Sequence, residues 1–376
     1  MASGLTALSA SRVLGANDII RVAAIGCGER MNTLLHCADI AGGHVLAAVC
    51  DVYEPHREAA RARFNPAASS FLDYREVLDK PDINAVIVAV PNHSHVRVAL
   101  DVLSAHKDIY LEKPVTHTLA EGPELIRAVR SSKQILQSGM QQRSWEHFQT
   151  AVDLIQAGNL GRITQIRTYW YQNYQTAWPS ETIKTDLLDW KRWLGSAPAQ
   201  PFDPEKYNYW RWFWDFGGGA MTDLFTHWID VAHWAMKKDQ ADRAQTMGDR
   251  YIFTKWQCPD TIQSSFRYPG FEVGYEGTLI SSIDDGGLEF RGTKATLKID
   301  RQHFAVYREG IKDGNPVLTE RSFKDGTISH MQNFLDCVRD RKQPNAPVEV
   351  GVSCARAGHF GNYALRHTGQ ATWPVA

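Results

Sequence analysis

Asp223, His227 and Asp230 stand at i, i+4 and i+7 in the run Gly217-Gly218-Gly219-Ala220-Met221-Thr222-Asp223-Leu224-Phe225-Thr226-His227-Trp228-Ile229-Asp230. On a helix these three side chains share one face. The rest of the helix is largely apolar: Leu224, Phe225, Trp228, Ile229, Val231, Ala232 and Trp234. A polar stripe on a buried helix needs partners. A substrate hydroxyl is one, because imidazole moves a proton near neutral pH. The same pattern also suits a first-turn acid after Thr222, a core histidine and a locally bonded Asp230, and the stripe alone leaves these open. A metal held by Asp223, His227 and His233 fits poorly, since His233 lies off that face, and none is expected.

Lys113 is the second chemical signal. It sits in Glu112-Lys113-Pro114 and closes the apolar, strand-like run Asp108-Ile109-Tyr110-Leu111. Parallel sheets bind ligands beyond the carboxyl ends of their strands. A lysine delivered there can hold a hydroxyl or carbonyl oxygen; the plain alternative is a solvated strand-end lysine.

The elements that carry these residues alternate. Strand-like runs span 19–26, 44–50, 83–90, 108–111 and 134–138, and helical runs span 31–40, 57–64, 96–105 and 120–131. That alternation predicts βαβ units and a parallel sheet. Gly26-Cys27-Gly28-Glu29-Arg30-Met31 follows the first strand and opens the first helix. Gly26 permits the tight turn, and Gly28 lets backbone approach a pyrophosphate at the helix N-terminus. Met31 replaces the glycine that ordinarily permits close helix–strand packing. Asp51 ends the second strand, where a carboxylate accepts from ribose hydroxyls and repels a 2′-phosphate, so NAD is expected over NADP. Pro91-Asn92-His93-Ser94-His95 follows the strand-like run 83–90 and suits the ribose and nicotinamide side, with a capped helix start as the alternative for His95. The cofactor-binding set is therefore Gly26, Gly28, Glu29, Arg30, Met31, Asp51, Pro91, Asn92, His95, Glu112 and Lys113.

After residue 145 the pattern changes. A helix at 145–157 and an alternating strand at 163–172 precede a Trp- and Pro-rich stretch to about residue 215. One helix, 222–236, then leads to several strand-like runs from 247 to 307, with turns at Tyr268-Pro269-Gly270 and Asp285-Gly286-Gly287. This is an antiparallel-sheet signature. Helical segments near 329–340 and 350–366 finish the chain. The expected domains are 19–144 and 145–376. Nine of the tryptophans, including Trp170, Trp178, Trp210 and Trp214, fall between 170 and 234. Most suit a core, with one or two lining a cleft. Arg143, Tyr171, Trp210 and Arg211 are candidate substrate contacts.

Composition narrows the partners. The chain has 376 residues, 43% hydrophobic and 22% charged, with net charge -1. That excludes a basic nucleic-acid face and a polybasic membrane patch. No stretch is apolar enough to span a bilayer. None of the six cysteines forms a CxxC pair, so buried free thiols are expected. Residues 1–18 resemble a truncated export leader, rich in Ala, Ser, Leu and Gly, so a periplasmic location is expected, with a cytoplasmic one as the alternative.

Together the G-x-G turn, Asp51, Pro91-Asn92 with His95, Glu112-Lys113-Pro114 and the Asp223/His227 segment resemble the glucose-fructose oxidoreductase / inositol dehydrogenase / MocA (Gfo/Idh/MocA) family. The resemblance implies an α/β protein: an N-terminal Rossmann dinucleotide-binding domain and a C-terminal α+β domain with a large open, mainly antiparallel sheet. It implies NAD-dependent hydride transfer to or from a hydroxyl of a sugar, polyol or glycoside. By the same likeness Lys113 contacts substrate and nicotinamide, and Asp223 and His227 bind substrate and move its proton. Some members are redox-neutral glycosidases or lyases that recycle bound NAD; a sensor without catalysis is a third possibility. A homo-oligomer is expected by analogy with the family.

Overall fold

A computed structural model describes residues 19–177, 180–311 and 314–375. The leader-like residues 1–18 and Trp178 lie outside the described residues. The first domain contains β1 (Ile20–Ile25), α1 (Glu29–Ala41), β2 (His44–Cys50), α2 (Glu54–Phe64), β3 (Ser69–Phe71), α3 (Tyr74–Leu78), β4 (Ala85–Val88), α4 (His95–Ser104), β5 (Asp108–Leu111), α5 (Glu121–Ser131) and β6 (Leu136–Ser138). Its six strands are parallel in the order β3-β2-β1-β4-β5-β6. β4 and β5 are buried at every residue, which is why their sequences are continuous apolar runs rather than alternating ones. The order reverses between β1 and β4. The crevice beyond their carboxyl ends is where such a sheet binds ligands.

The second domain runs through α6 (Glu146–Gln156), β7 (Ile163–Tyr171), α7 (Tyr174–Ala177), α8 (Trp190–Leu194), α9 (Pro204–Asn208), α10 (Gly219–Asp223) and α11 (Phe225–Met236). The sheet strands β8 (Arg243–Asp249), β9 (Thr261–Tyr268), β10 (Phe271–Thr278), β11 (Gly286–Gly292), β12 (Ala295–Ile299), β13 (His303–Arg308) and β14 (Leu318–Arg321) follow. Helices α12 (Gly326–Asp340) and α13 (Val348–Arg366) and strand β15 (Gln370–Thr372) end the chain. The nine-stranded sheet has the order β14-β13-β12-β11-β7-β10-β9-β8-β15, antiparallel except where β7 pairs with β10. β9 alternates buried and outward residues, so one face packs on helices and the other stays open. The expected α/β class with two such sheets is observed.

Two elements depart from the sequence expectation. The helix read at 222–236 is broken at Leu224 into α10 and α11. The last two helices return to the first domain: Met331, Phe334 and Leu335 of α12 pack with Met31, Leu34 and Leu35 of α1, while Val348 and Val352 of α13 join the core around Val96 and Leu125. All six cysteines are buried and unpaired. No described helix is long and apolar enough to cross a membrane.

Candidate active site

A cleft of about 530 Å³ opens at the β1/β4 crevice. Gly26, Gly28, Glu29, Arg30, Asp51, Val90, Pro91 and Ser94 form one wall, and Glu181, Trp193, Tyr207, Trp210 and Arg211 of the second domain form the other. Gly26 has φ +82°, and a Cβ there would meet the Ala89 carbonyl oxygen at 2.7 Å, so glycine is required twice over. A Cβ on Gly28 would meet nothing within 4 Å. Gly28 caps α1 with no side-chain hydrogen bond, so an open cradle stands before the helix N-terminus, where a pyrophosphate would accept from first-turn N–H groups.

Asp51 lines this wall. Its Oδ2 accepts from the Cys27 N–H at 2.6 Å and its Oδ1 from the Tyr53 N–H at 2.8 Å. These bonds aim the carboxylate across the crevice while leaving lone pairs for ribose hydroxyls. Burial pushes its carboxyl up, against His56 and the two N–H donors.

Four residues of the expected cofactor set do other work. Met31 is wholly buried in the core under α1, so it sits where helix meets sheet and does not line the cleft. Glu112 is buried, pairs with Arg30 Nε at 2.7 Å and accepts from the Lys113 N–H at 3.0 Å; it anchors Arg30, which does face the cleft. His95 is 1% exposed behind Pro91 and Ser94, its Nδ1 2.6 Å from the Pro114 carbonyl and its Nε2 2.8 Å from that of Val90. Asn92 is buried in the turn before it.

Lys113, Asp223 and His227 converge between the domains. Lys113 Nζ donates to Asp223 Oδ1 at 2.7 Å and to the Asp223 carbonyl at 2.8 Å. The helix break explains the second bond: the His227 N–H turns to the Leu224 carbonyl at 3.2 Å, so Lys113 can take the Asp223 carbonyl. Arg211 Nε lies 3.4 Å from Asp223 Oδ1, and its guanidinium covers the Trp210 ring at 4.3 Å. A Cβ on Gly217 would meet Arg211 Cα at 2.8 Å, so the glycine run lets the chain pass against the backbone that carries Arg211. Burial pushes the Asp223 carboxyl up, but Lys113 and Arg211 outweigh it and hold the group below the usual carboxylate range. Burial loosens the Lys113 proton against the pull of Asp223.

Gln142 sets the tautomer of His227. Its Nε2 donates to the His227 carbonyl at 3.2 Å, so its Oε1 faces His227 Nδ1, also at 3.2 Å. The carbonyl can only accept, so Nδ1 carries the proton and Nε2 the lone pair. Burial, then Lys113, Arg301 and Arg30, pull the imidazole well below its ordinary pKa and keep it neutral. The ring stacks on Trp170, centroids 5.6 Å apart.

The candidate substrate contacts divide. Trp210 and Arg211 line the cleft. Arg143 is committed to buried Asp230 at 2.7 Å and packs on Trp234. The pairing also accounts for Asp230, which joins Arg143 rather than Asp223 and His227. The Tyr171 hydroxyl donates to Glu276 at 3.0 Å, beside Arg167 and away from His227. Neighbouring strand residues face opposite ways, so Trp170 is the one at the site. Sequence reasoning missed Gln142 and Arg301; neither has a local signal, since their partners are remote in the chain. Among the described residues no His, Cys, Asp and Glu cluster could hold a metal.

Family models match both domains: an oxidoreductase-family NAD-binding Rossmann fold over residues 20–140, and the GFO/IDH/MocA C-terminal domain over residues 148–298. The chain belongs to the Gfo/Idh/MocA oxidoreductase family. Inositol 2-dehydrogenase of Salmonella typhimurium is 28% identical over 350 residues, covering 88% of this chain and 91% of that protein. Levoglucosan dehydrogenase of Pseudarthrobacter phenanthrenivorans is 28% identical over 190 residues, 50% of this chain and 42% of that protein. A levoglucosan dehydrogenase structure with NADH and levoglucosan superposes with a TM-score of 0.77 at 18% identity, over 95% of this chain and all of that one. The Gfo/Idh/MocA fold thus accounts for both sheets, and the NAD-binding assignment agrees with the cradle at Gly28 and the carboxylate of Asp51.

Proposed function

We propose that this Gfo/Idh/MocA protein is an NAD-dependent dehydrogenase acting on a secondary hydroxyl of a sugar or polyol. The observation that carries this reading is the neutral His227, its Nδ1 proton fixed by Gln142 and its Nε2 lone pair left free to accept, close enough to the Lys113 ammonium that burial and that charge together keep the ring unprotonated. The inositol and levoglucosan dehydrogenases among its relatives support the substrate class. His227 Nε2 takes the hydroxyl proton. Lys113 stabilises the oxygen as charge develops on it and as it becomes a carbonyl. Asp223 holds the ammonium in place, and Arg211 holds Asp223 from the other side. Held at the Gly28 cradle and the Asp51 carboxylate, NAD would supply the hydride acceptor, so that oxidation of the alcohol to a ketone is balanced by reduction of NAD to NADH. The test is a screen of sugars and polyols for NADH formation, repeated with Lys113→Ala. Turnover that disappears in the variant while NAD still binds supports the reading; wild-type turnover in the variant refutes it.

A second reading has its own support. The Trp-rich insert straps the far side of the cleft: His56 meets Glu181 at 2.8 Å, the Asp189 N–H donates to the Val52 carbonyl at 2.9 Å, and Tyr53 bridges Leu188. Such a strap favours a cofactor retained through many turnovers. Transient oxidation, elimination and re-reduction on the sugar would then leave no net NADH, and an exported enzyme would carry its NAD with it. Denaturing the purified protein and measuring released NAD(H) separates the two readings. About one cofactor per chain favours the redox-neutral cycle, and an empty protein favours exchangeable NAD.

A further inference from the structure

Arg301 sits in the turn between β12 and β13, with its guanidinium 4.8 Å from the centre of the Trp170 ring. That ring is the one stacked on His227. Arg301 Nε is buried with no partner. Among the described residues the side chain forms neither an ion pair nor a hydrogen bond, although Arg and carboxylate side chains of this protein pair elsewhere at ordinary distances.

The neighbouring charges show that this cation is surplus. Glu112 is spent on Arg30, and Asp223 is shared by Lys113 and Arg211. Asp325 and Asp285 are the acids nearest in electrostatic effect, yet neither makes an ion pair with Arg301. Asp325 instead caps α12, its Oδ1 accepting from the Thr327 N–H at 2.8 Å. Burial pulls the guanidinium down to about 10, still protonated at neutral pH. Arg301 is half-buried, with its Nε fully enclosed, and a cation held this way without an acceptor is costly; proteins keep such groups where a ligand supplies the counter-charge.

We propose that Arg301 binds a carboxylate carried by the substrate, so that the sugar or polyol oxidised here is a sugar acid. This rests on the dehydrogenase reading and narrows its substrate. A carboxylate matches the surplus in charge and shape: one negative charge for one unpaired cation, and two oxygens in a plane for the guanidinium fork. Trp170 contacts both the Arg301 guanidinium and the His227 ring. The indole thus fixes the anion-binding group and the base relative to each other, and with them the carboxylate and the reacting hydroxyl.

The test is calorimetric binding to the NADH-loaded protein of D-glucuronate, D-glucose and D-glucose 6-phosphate, with wild type, Arg301→Gln and Arg301→Lys. Wild type should prefer glucuronate to glucose, and Arg301→Gln should lower that preference about 30-fold, the value of one charge-assisted contact. Arg301→Lys should restore part of it. Equal binding of glucose and glucuronate by wild type, or an unchanged preference in Arg301→Gln, overturns the proposal, as does tighter binding of the phosphate than of the carboxylate. Binding needs no turnover. Arg301-dependent glucuronate binding with no NADH from any sugar would retain this inference and refute the dehydrogenase; NADH from neutral sugars with no preference for the acid would do the reverse.

Discussion

Three buried histidines tie the first domain to the rest of the chain, and their titration offers a test that needs no substrate. His93 Nε2 lies 3.0 Å from the Trp193 carbonyl, His330 Nε2 lies 2.9 Å from that of Ser138, and His359 Nε2 lies 3.1 Å from that of Thr116. Burial pulls each imidazole down to about 4, and pulls His233 to about 3. In the unfolded chain a histidine titrates near pH 6.5 (about the model-peptide value). Between about pH 6.5 and 4 the unfolded chain therefore binds protons that the folded chain refuses. The stability from these groups is complete above 6.5 and is lost as pH falls toward the folded values. Each such group contributes about 1.4 kcal/mol per pH unit, so four together approach ~5 kcal/mol per unit. A margin of about 5–15 kcal/mol would be largely consumed by about pH 5. The raised carboxyl of Asp51 works the other way and removes part of the slope. The assay is urea unfolding followed by tryptophan fluorescence at several pH values from 7.5 to 5. His93→Gln keeps an amide donor near the Trp193 carbonyl but removes one titrating ring, so its slope should be shallower by about one group's share. A midpoint flat across that range would refute the reasoning, and an unchanged slope in His93→Gln would remove His93 from it.

Other substitutions test the site. Gln142→Leu removes the acceptor that fixes His227, and should lower kcat about tenfold with little change in KM, the value of one net hydrogen bond; a KM effect alone would make Gln142 a binding residue. Glu112→Gln leaves Arg30 without its counter-ion and should cost about 2 kcal/mol of stability, less than a fully buried pair because the Arg30 side chain keeps 29% exposure; denaturant midpoints read this directly. Gly217→Ala places a Cβ 2.8 Å from Arg211 Cα, and should weaken substrate binding through displaced Arg211 while both domains stay folded by circular dichroism.

The sequence by itself determined the parallel sheet, the crevice at its switch point and the lysine delivered there. Each rests on local information: the apolar runs at 44–50 and 83–90, the turn glycines Gly26 and Gly28, and Lys113 at the end of β5. Burial on both faces makes β4 continuously apolar whatever its neighbours are, so the pattern is readable without them. Tertiary structure alone decided what each polar side chain meets. Periodicity placed Asp223, His227 and Asp230 on one helical face, but the break at Leu224 turned Asp223 toward Lys113 and Arg211 and left Asp230 to Arg143. Tyr171 and Trp170 are adjacent in sequence, and the strand pleat sends only Trp170 to the site. Gln142 and Arg301 reach His227 and Trp170 from distant segments. Such pairings depend on how two sheets and two returning helices dock, and a local pattern of polarity reports that a group needs a partner without reporting which one.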